Sequence, residues 1–229
     1  MREKIDVSAY LVIGPENTCG RPIGDVVAKA LAAGFTCVQV RSKECSAREL
    51  MACMAVAAQA IADAGRTGTV ALLVDDRLDV VLAARHAGIA VDGVHVGQSD
   101  IPPEACRALL GPDGVVGLSA RTDEMLEYVR TMPTGLVDYL GVGPLHETQT
   151  KRDCGLDSAG NIITKSFEDI AELARVSPVP FVVGGGVKLA DIAPLKAAGA
   201  DGFFVVSAVC AAADPYAAAK ELTDAWSRA

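Results

Sequence analysis

Eight short apolar runs spread along 229 residues constrain this chain more than any other feature. They read AYLVIG, FTCVQV, TVALLV, GVHVG, GVVGLS, VDYLGVG, PFVVGG and GFFVVS. Each is nearly continuous rather than alternating with polar positions. Strands covered on both faces read this way, and these are typically parallel strands flanked by helices. Between them lie stretches with helical periodicity, among them DVVAKALAAG, ARELMACMAVAAQAIADAG and LADIAPLKAAG. Each stops at a glycine, the residue that most easily takes the left-handed turn after a helix. Eight strand–helix units in a chain of this length predict an α/β fold, a single (β/α)8 TIM barrel over residues 1–229. A doubly wound open sheet shares the alternation. The count of eight and the short spacing favour the closed barrel.

Composition sets the surroundings. At 51% hydrophobic and 22% charged the chain reads as a soluble globular protein with ample core. No run approaches the roughly 18 consecutive apolar residues of a membrane span. The N-terminal MREKIDVSAYLVIG has no apolar signal region followed by a cleavage site. A net charge of −8 argues against non-specific nucleic-acid binding, which needs a basic face. The seven cysteines are odd in number, and none forms a C-x-x-C pair. They are expected to be reduced and mostly buried, in a cytoplasmic protein. A homo-oligomer is compatible with all of this.

A barrel places its chemistry at the C-terminal ends of its strands, and the polar residues gather there. The second run ends in Gln39, Arg41 and Lys43, spaced two apart, so that extended backbone would put them on one face. The third runs into Asp75, Asp76 and Arg77, and the fourth leads to His95, Gln98 and Asp100. The fifth ends at Ser119, and the sixth opens into the long loop GPLHETQTKRDCGLDSAGN. Two sub-sites can be read. Arg41, Lys43 and Lys151 beside Asp76 and Asp100 form salt bridges or, at strand ends without apolar cover, hold a diphosphate together with magnesium. GGGV and VVSA, at the last two strand ends, are either tight turns or a phosphate site built from backbone N–H groups. His95, inside an apolar strand, reads as a hydrogen-bonded barrel residue, while His146 in the long loop is within reach of a substrate.

The ordered set QVRSK, VDDR, HVGQSD, GLSA, ETQTK, GGGV and VVSA resembles the thiamine phosphate synthase family over essentially the whole chain. That resemblance implies a transferase coupling 4-amino-2-methyl-5-hydroxymethylpyrimidine diphosphate to a thiazole phosphate, with release of pyrophosphate. It implies that the QVRSK residues (Gln39, Val40, Arg41, Ser42 and Lys43), together with Asp75, Ser119 and Lys151, bind the pyrimidine diphosphate. It assigns Thr148, Gln149, Thr150, Gly186, Val206 and Ser207 to the thiazole phosphate, and Asp76 and Asp100 to magnesium. Arg41, Lys43, Ser119 and Lys151 would carry catalysis. The loop bearing Lys151 is expected to close over bound substrates. A thiazole-aromatising isomerase and a catalytically silent phosphate-binding barrel are the rival readings. The retained cations and carboxylates count against the first rival.

The chain departs from the family pattern in three places. Asp75 stands where an Asn is usual. Its carboxylate either helps to hold magnesium, the favoured expectation, or turns to Arg41, Arg77 or a backbone donor. The helix after it, through ARHAGIAVDG, is expected to be longer by several residues, and the loop after Lys151 carries extra residues.

Overall fold

The computed structural model describes residues 5–120, 124–132, 135–147 and 161–229. Within them, eight parallel strands close into a barrel in chain order, with the last paired to the first. They are β1 (Ala9–Ile13), β2 (Cys37–Val40), β3 (Ala71–Asp75), β4 (Gly93–Val96), β5 (Val115–Ser119), β6 (Tyr139–Val142), β7 (Phe181–Val183) and β8 (Gly202–Val205). Each of the eight apolar runs holds one strand, β3 running one residue past its run to Asp75. Closure leaves no sheet edge exposed.

The helices form the outer ring: α1 (Ile23–Ala32), α2 (Ala47–Asp63), α3 (Leu78–His86), α4 (Pro103–Leu110) and α5 (Met125–Thr131), followed by α6 (Phe167–Val176), α7 (Ile192–Ala197), α8 (Ser207–Cys210) and α9 (Pro215–Arg228). Local chemistry sets their limits. Ser46 accepts the Glu49 amide through its hydroxyl, while the Glu49 carboxylate accepts the Ser46 amide, a reciprocal cap that starts α2. Gly34 and Gly65, in the left-handed region, follow α1 and α2 as their sequence predicts. LADIAPLKAAG departs from a uniform helix. Leu189–Asp191 form a 3-10 turn, and the α-helix starts at Ile192, which puts Pro194 in a first turn where its missing N–H does no harm. The expected extension after β3 is not helical throughout. α3 ends at His86, and the remaining residues of ARHAGIAVDG lead into β4.

Alternation along the strands separates two cores. Leu11, Ile13, Val38, Val40, Leu72 and Val74 face outward and pack with Val26, Val27, Leu50, Met54 and Val81 of the helices. Tyr10, Val12, Cys37, Leu73, Tyr139 and Val182 fill the barrel interior.

The N-terminal rim repeats one device four times. The residue just before each even-numbered strand accepts a backbone N–H from the preceding odd-numbered strand. Thr36 Oγ1 accepts from Ala9 (3.2 Å), Asp92 Oδ2 from Leu72 (2.7 Å), Asp138 Oδ2 from Val116 (2.7 Å) and Asp201 Oδ2 from Phe181 (3.0 Å). The first amides of a strand lack a ladder partner, and a buried N–H without one costs about 1–3 kcal/mol. The rim is thereby closed, and the opposite end is free to carry polar groups for other purposes.

No helix among the described residues is long and apolar enough to cross a membrane. Of the six described cysteines, Cys37, Cys106 and Cys210 are buried, Cys45 and Cys53 half-buried and Cys19 exposed. Burial therefore holds for half of them. Cys19 lies in the surface turn between β1 and α1 rather than on a core face.

Candidate active site

At the C-terminal mouth the chain leaves β2 at Val40, and Arg41 continues the ladder by one bond, its N–H donating to Ile13 (2.8 Å). Arg41 Nε then lies 3.0 Å from Asp75 Oδ2, and Lys43 Nζ 3.6 Å from the same oxygen. Lys43 also pairs with Asp76 Oδ2. Successive residues of a strand point to opposite faces, so Asp75 and Asp76 should not reach one lysine. The backbone resolves this. Asp76 takes the left-handed conformation, φ +59°, and its N–H donates to the His95 carbonyl (2.7 Å). Asp tolerates that region better than most side chains, and the turn brings both carboxylates to the same side.

Asp100 approaches from the loop after β4, accepting the Gly97 N–H at Oδ2 (2.8 Å). Its carboxyl is pushed above the usual range, first by burial and then by the Asp76 carboxylate beside it. Lys43 is held above its ordinary value. Burial is the largest influence and works downward, but the hydrogen bond to Asp76 and the charges of Asp75 and Asp76 outweigh it. Two cations and three carboxylates thus meet at the ends of β2, β3 and β4. Among the described residues the cluster has no positive excess. Two neighbouring carboxylates, one of them driven toward protonation first by burial and then by the other, make a donor set suited to a hard divalent cation such as magnesium. Asp76 and Asp100 fit that role. Asp75, almost fully buried, is turned to Arg41 and Lys43.

The QVRSK segment does not present a uniform face. Gln39 is buried inside the barrel, donating from Nε2 to Tyr10 Oη (2.9 Å). Val40 lies in the outer core. Ser42 Oγ accepts the Glu44 and Cys45 amides (3.2 and 3.0 Å), shaping the turn that carries Lys43. Alternation puts Gln39 and Arg41 on one face, but the strand ends between them, so one is core and the other mouth.

Ser119, the last residue of β5, sits half-buried at the mouth, its Oγ 3.0 Å from His95 Nε2. Gln98 Nε2 donates to its carbonyl (2.5 Å) and to Tyr128 Oη (3.3 Å). His95 Nδ1 lies 2.8 Å from Tyr139 Oη, and Tyr139 Oη lies 2.7 Å from Tyr10 Oη. Burial above all pushes both phenols well above their ordinary range, so each keeps its proton. Sequence reasoning missed Tyr10 and Tyr139, because a tyrosine inside an apolar run looks like core. Only the closed register, Asp75 to His95 to Gly117 to Tyr139, shows that they share the interior with His95.

Across the mouth, β7 and β8 end side by side. Gly185 and Gly186 adopt left-handed φ values of +79° and +72°, and Leu145 and His146 donate their amides to Gly184 and Gly185 (2.9 Å each). A Cβ on Gly186 would stand 2.9 Å from the His146 Cβ, so the backbone approach there requires glycine. Val206 and Ser207 follow β8, with Ser207 exposed at the start of α8. His146 Nε2 lies 2.9 Å from Asp191 Oδ2. Thr148, Gln149, Thr150 and Lys151 lie outside the described residues, as does most of the loop expected to close.

Comparison with known proteins bears on this geometry. Residues 9–209 match the family model described as thiamine monophosphate synthase. The thiamine-phosphate synthase of Azorhizobium caulinodans is 39% identical over 222 residues, covering 97% of this chain and 96% of that protein. That of Corynebacterium efficiens is 38% identical over 222 residues with the same coverage. Among solved structures, the thiamine phosphate pyrophosphorylase of Pyrococcus furiosus superimposes with a TM-score of 0.76 at 25% identity, covering 98% of this chain and 97% of that one.

Proposed function

Since this chain belongs to the thiamine monophosphate synthase family, we propose that its barrel mouth performs that family's transfer by gripping a diphosphate between the β2 cations and a magnesium ion on Asp76 and Asp100. The reaction couples the pyrimidine diphosphate to the thiazole phosphate and releases pyrophosphate. The nucleophile is a ring nitrogen without a proton, so no general base is called for. The aminopyrimidine ring can share positive charge at its exocyclic carbon, which lets pyrophosphate leave ahead of attack. The protein's task is then to stabilise charge on the leaving group and to hold two rings in line.

The cluster of Arg41, Lys43, Asp75, Asp76 and Asp100 carries the reading. With three carboxylates to two cations, these five residues alone would not attract a diphosphate. A magnesium ion there would supply the missing positive charge to the leaving group. Arg41 and Lys43 would bind diphosphate oxygens, joined by Lys151, and Ser119 would contact the same substrate. The Gly186 turn and the Val206–Ser207 backbone would hold the thiazole phosphate, with Thr148, Gln149 and Thr150 contributing from the loop. The enzyme would work in the cytoplasm, in keeping with its free thiols.

The test is pyrophosphate release from the two substrates together. Asp76→Ala and Asp100→Ala should each lower turnover by about 100-fold or more, the scale on which removal of a key electrostatic group acts, and excess chelator should abolish it. Undiminished turnover in chelator would overturn the metal role, and no turnover under any condition would overturn the activity.

A further inference from the structure

A chain of hydrogen bonds crosses the barrel interior from β2 to β5. Gln39 Nε2 donates to Tyr10 Oη; Tyr10 meets Tyr139, Tyr139 meets His95 Nδ1, and His95 Nε2 meets Ser119 Oγ, all within 2.7–3.0 Å. An amide nitrogen can only donate, and a phenol has one hydrogen to give. Tyr10 accepts from Gln39, and the order that gives each phenol hydrogen an acceptor along this chain has Tyr10 donating to Tyr139 and Tyr139 donating to Nδ1. The imidazole then carries its hydrogen on Nε2 and gives it to Ser119 Oγ. Among the described residues Ser119 Oγ has no further hydrogen-bond partner, so its own hydrogen is left for a ligand at the mouth.

We infer that Gln39, Tyr10, Tyr139 and His95 form a directional relay whose output is the Ser119 hydroxyl, held as a donor toward the substrate. Direction matters because the reverse order would turn the Ser119 hydrogen toward His95 and aim a lone pair at the ligand. An anionic oxygen on a leaving group can be met only by a donor. The interior is built around the relay. A Cβ on Gly117 would fall 2.3 Å from the Tyr139 ring, and one on Gly141 would fall 2.8 Å from His95 Cε1. Two strands thus give up side chains to seat the two rings. His95, Tyr139 and Tyr10 are positioning residues, since they act through Ser119.

The inference rests on the coupling reaction proposed above, and its tests separate the two. The chain has three histidines, so nitrogen-15 NMR of histidine-labelled protein, assigned with His95→Gln, reads the tautomer without any substrate. A pyridine-like Nδ1 and a pyrrole-like Nε2–H on His95 are expected. The opposite pattern overturns the relay, and this measurement decides even if Tyr139→Phe fails to fold. Tyr139→Phe should mix the tautomers and lower kcat roughly ten-fold, the worth of one displaced hydrogen bond, with the KM for thiazole phosphate unchanged. Ser119→Ala combined with Tyr139→Phe should be no slower than Ser119→Ala alone, and His95→Gln, which keeps a donor toward Ser119, should outperform His95→Leu. Multiplicative losses in the double variant would overturn the relay. A wild-type protein that does not couple the substrates would overturn the activity instead, and the NMR pattern would still decide the direction of the chain.

Discussion

Asp75 holds two cations with one carboxylate oxygen, 3.0 Å from Arg41 Nε and 3.6 Å from Lys43 Nζ, and its side chain is only 5% exposed. A carboxylate already committed to two cations has little left for a metal. It would compete instead with the diphosphate proposed to bind the same guanidinium. Asp75→Asn should therefore leave the magnesium concentration for half-maximal rate unchanged and lower the KM for the pyrimidine diphosphate several-fold, since an amide holds Arg41 without matching its charge. Steady-state titrations of magnesium and substrate measure both quantities. A raised magnesium requirement would restore the metal-linked role that adjacency to Asp76 suggests. The sequence could not choose between these roles, because the choice depends on one backbone angle. The left-handed Asp76 turns its own carboxylate away from strand alternation, and nothing in VDDR announces that. The gathering of charges at one end of the barrel was legible, since charges at the ends of apolar runs have few other reasons to be there. Their pairing was not.

At the scale of elements, the eight strands were legible because burial on both faces leaves an unbroken apolar run. The limits of α1 and α2 were legible because glycine marks them. The rim acceptors were not. Asp92, Asp138 and Asp201 look like ordinary loop residues until the barrel is closed and each is seen beneath its neighbour's first amide. Asp92→Ala would leave the Leu72 N–H unpaired and should destabilise the fold by about 1–3 kcal/mol, lowering the melting temperature by roughly 2–10 °C for a chain of this size. Asp92→Asn keeps an acceptor oxygen and should cost much less. Burial pushes the Asp92 carboxyl above its ordinary range, with the Leu72 amide working the other way. Such a group stabilises the fold below its unfolded pKa and loses that contribution as pH rises through the folded one. Asp92→Asn should therefore flatten the stability profile just above the ordinary carboxylate range. Thermal melts across mildly acidic pH would show it, and equal losses from Ala and Asn would rule out the acceptor role.

The whole molecule carries a net charge of −8 and is proposed to bind two anions at one end. Arg41 and Lys43 are matched by Asp75 and Asp76, and Asp100 adds a further carboxylate. Neither the overall field nor these five residues favours an anion in the absence of a divalent cation. Binding of pyrophosphate should therefore be conditional, and it can be read without any turnover. A ligand that binds only the folded state adds about 2.7 kcal/mol at 100 times its Kd, which for a chain of this length raises the melting temperature by roughly 5–10 °C. Pyrophosphate with magnesium should produce a shift of that order. Pyrophosphate in chelator should produce almost none, and Asp100→Ala should lose the magnesium-dependent part while melting normally without ligand. An equal shift with and without magnesium would mean that the cations outweigh the carboxylates after all. The neighbouring pair of Asp76 and Asp100 would then need another explanation.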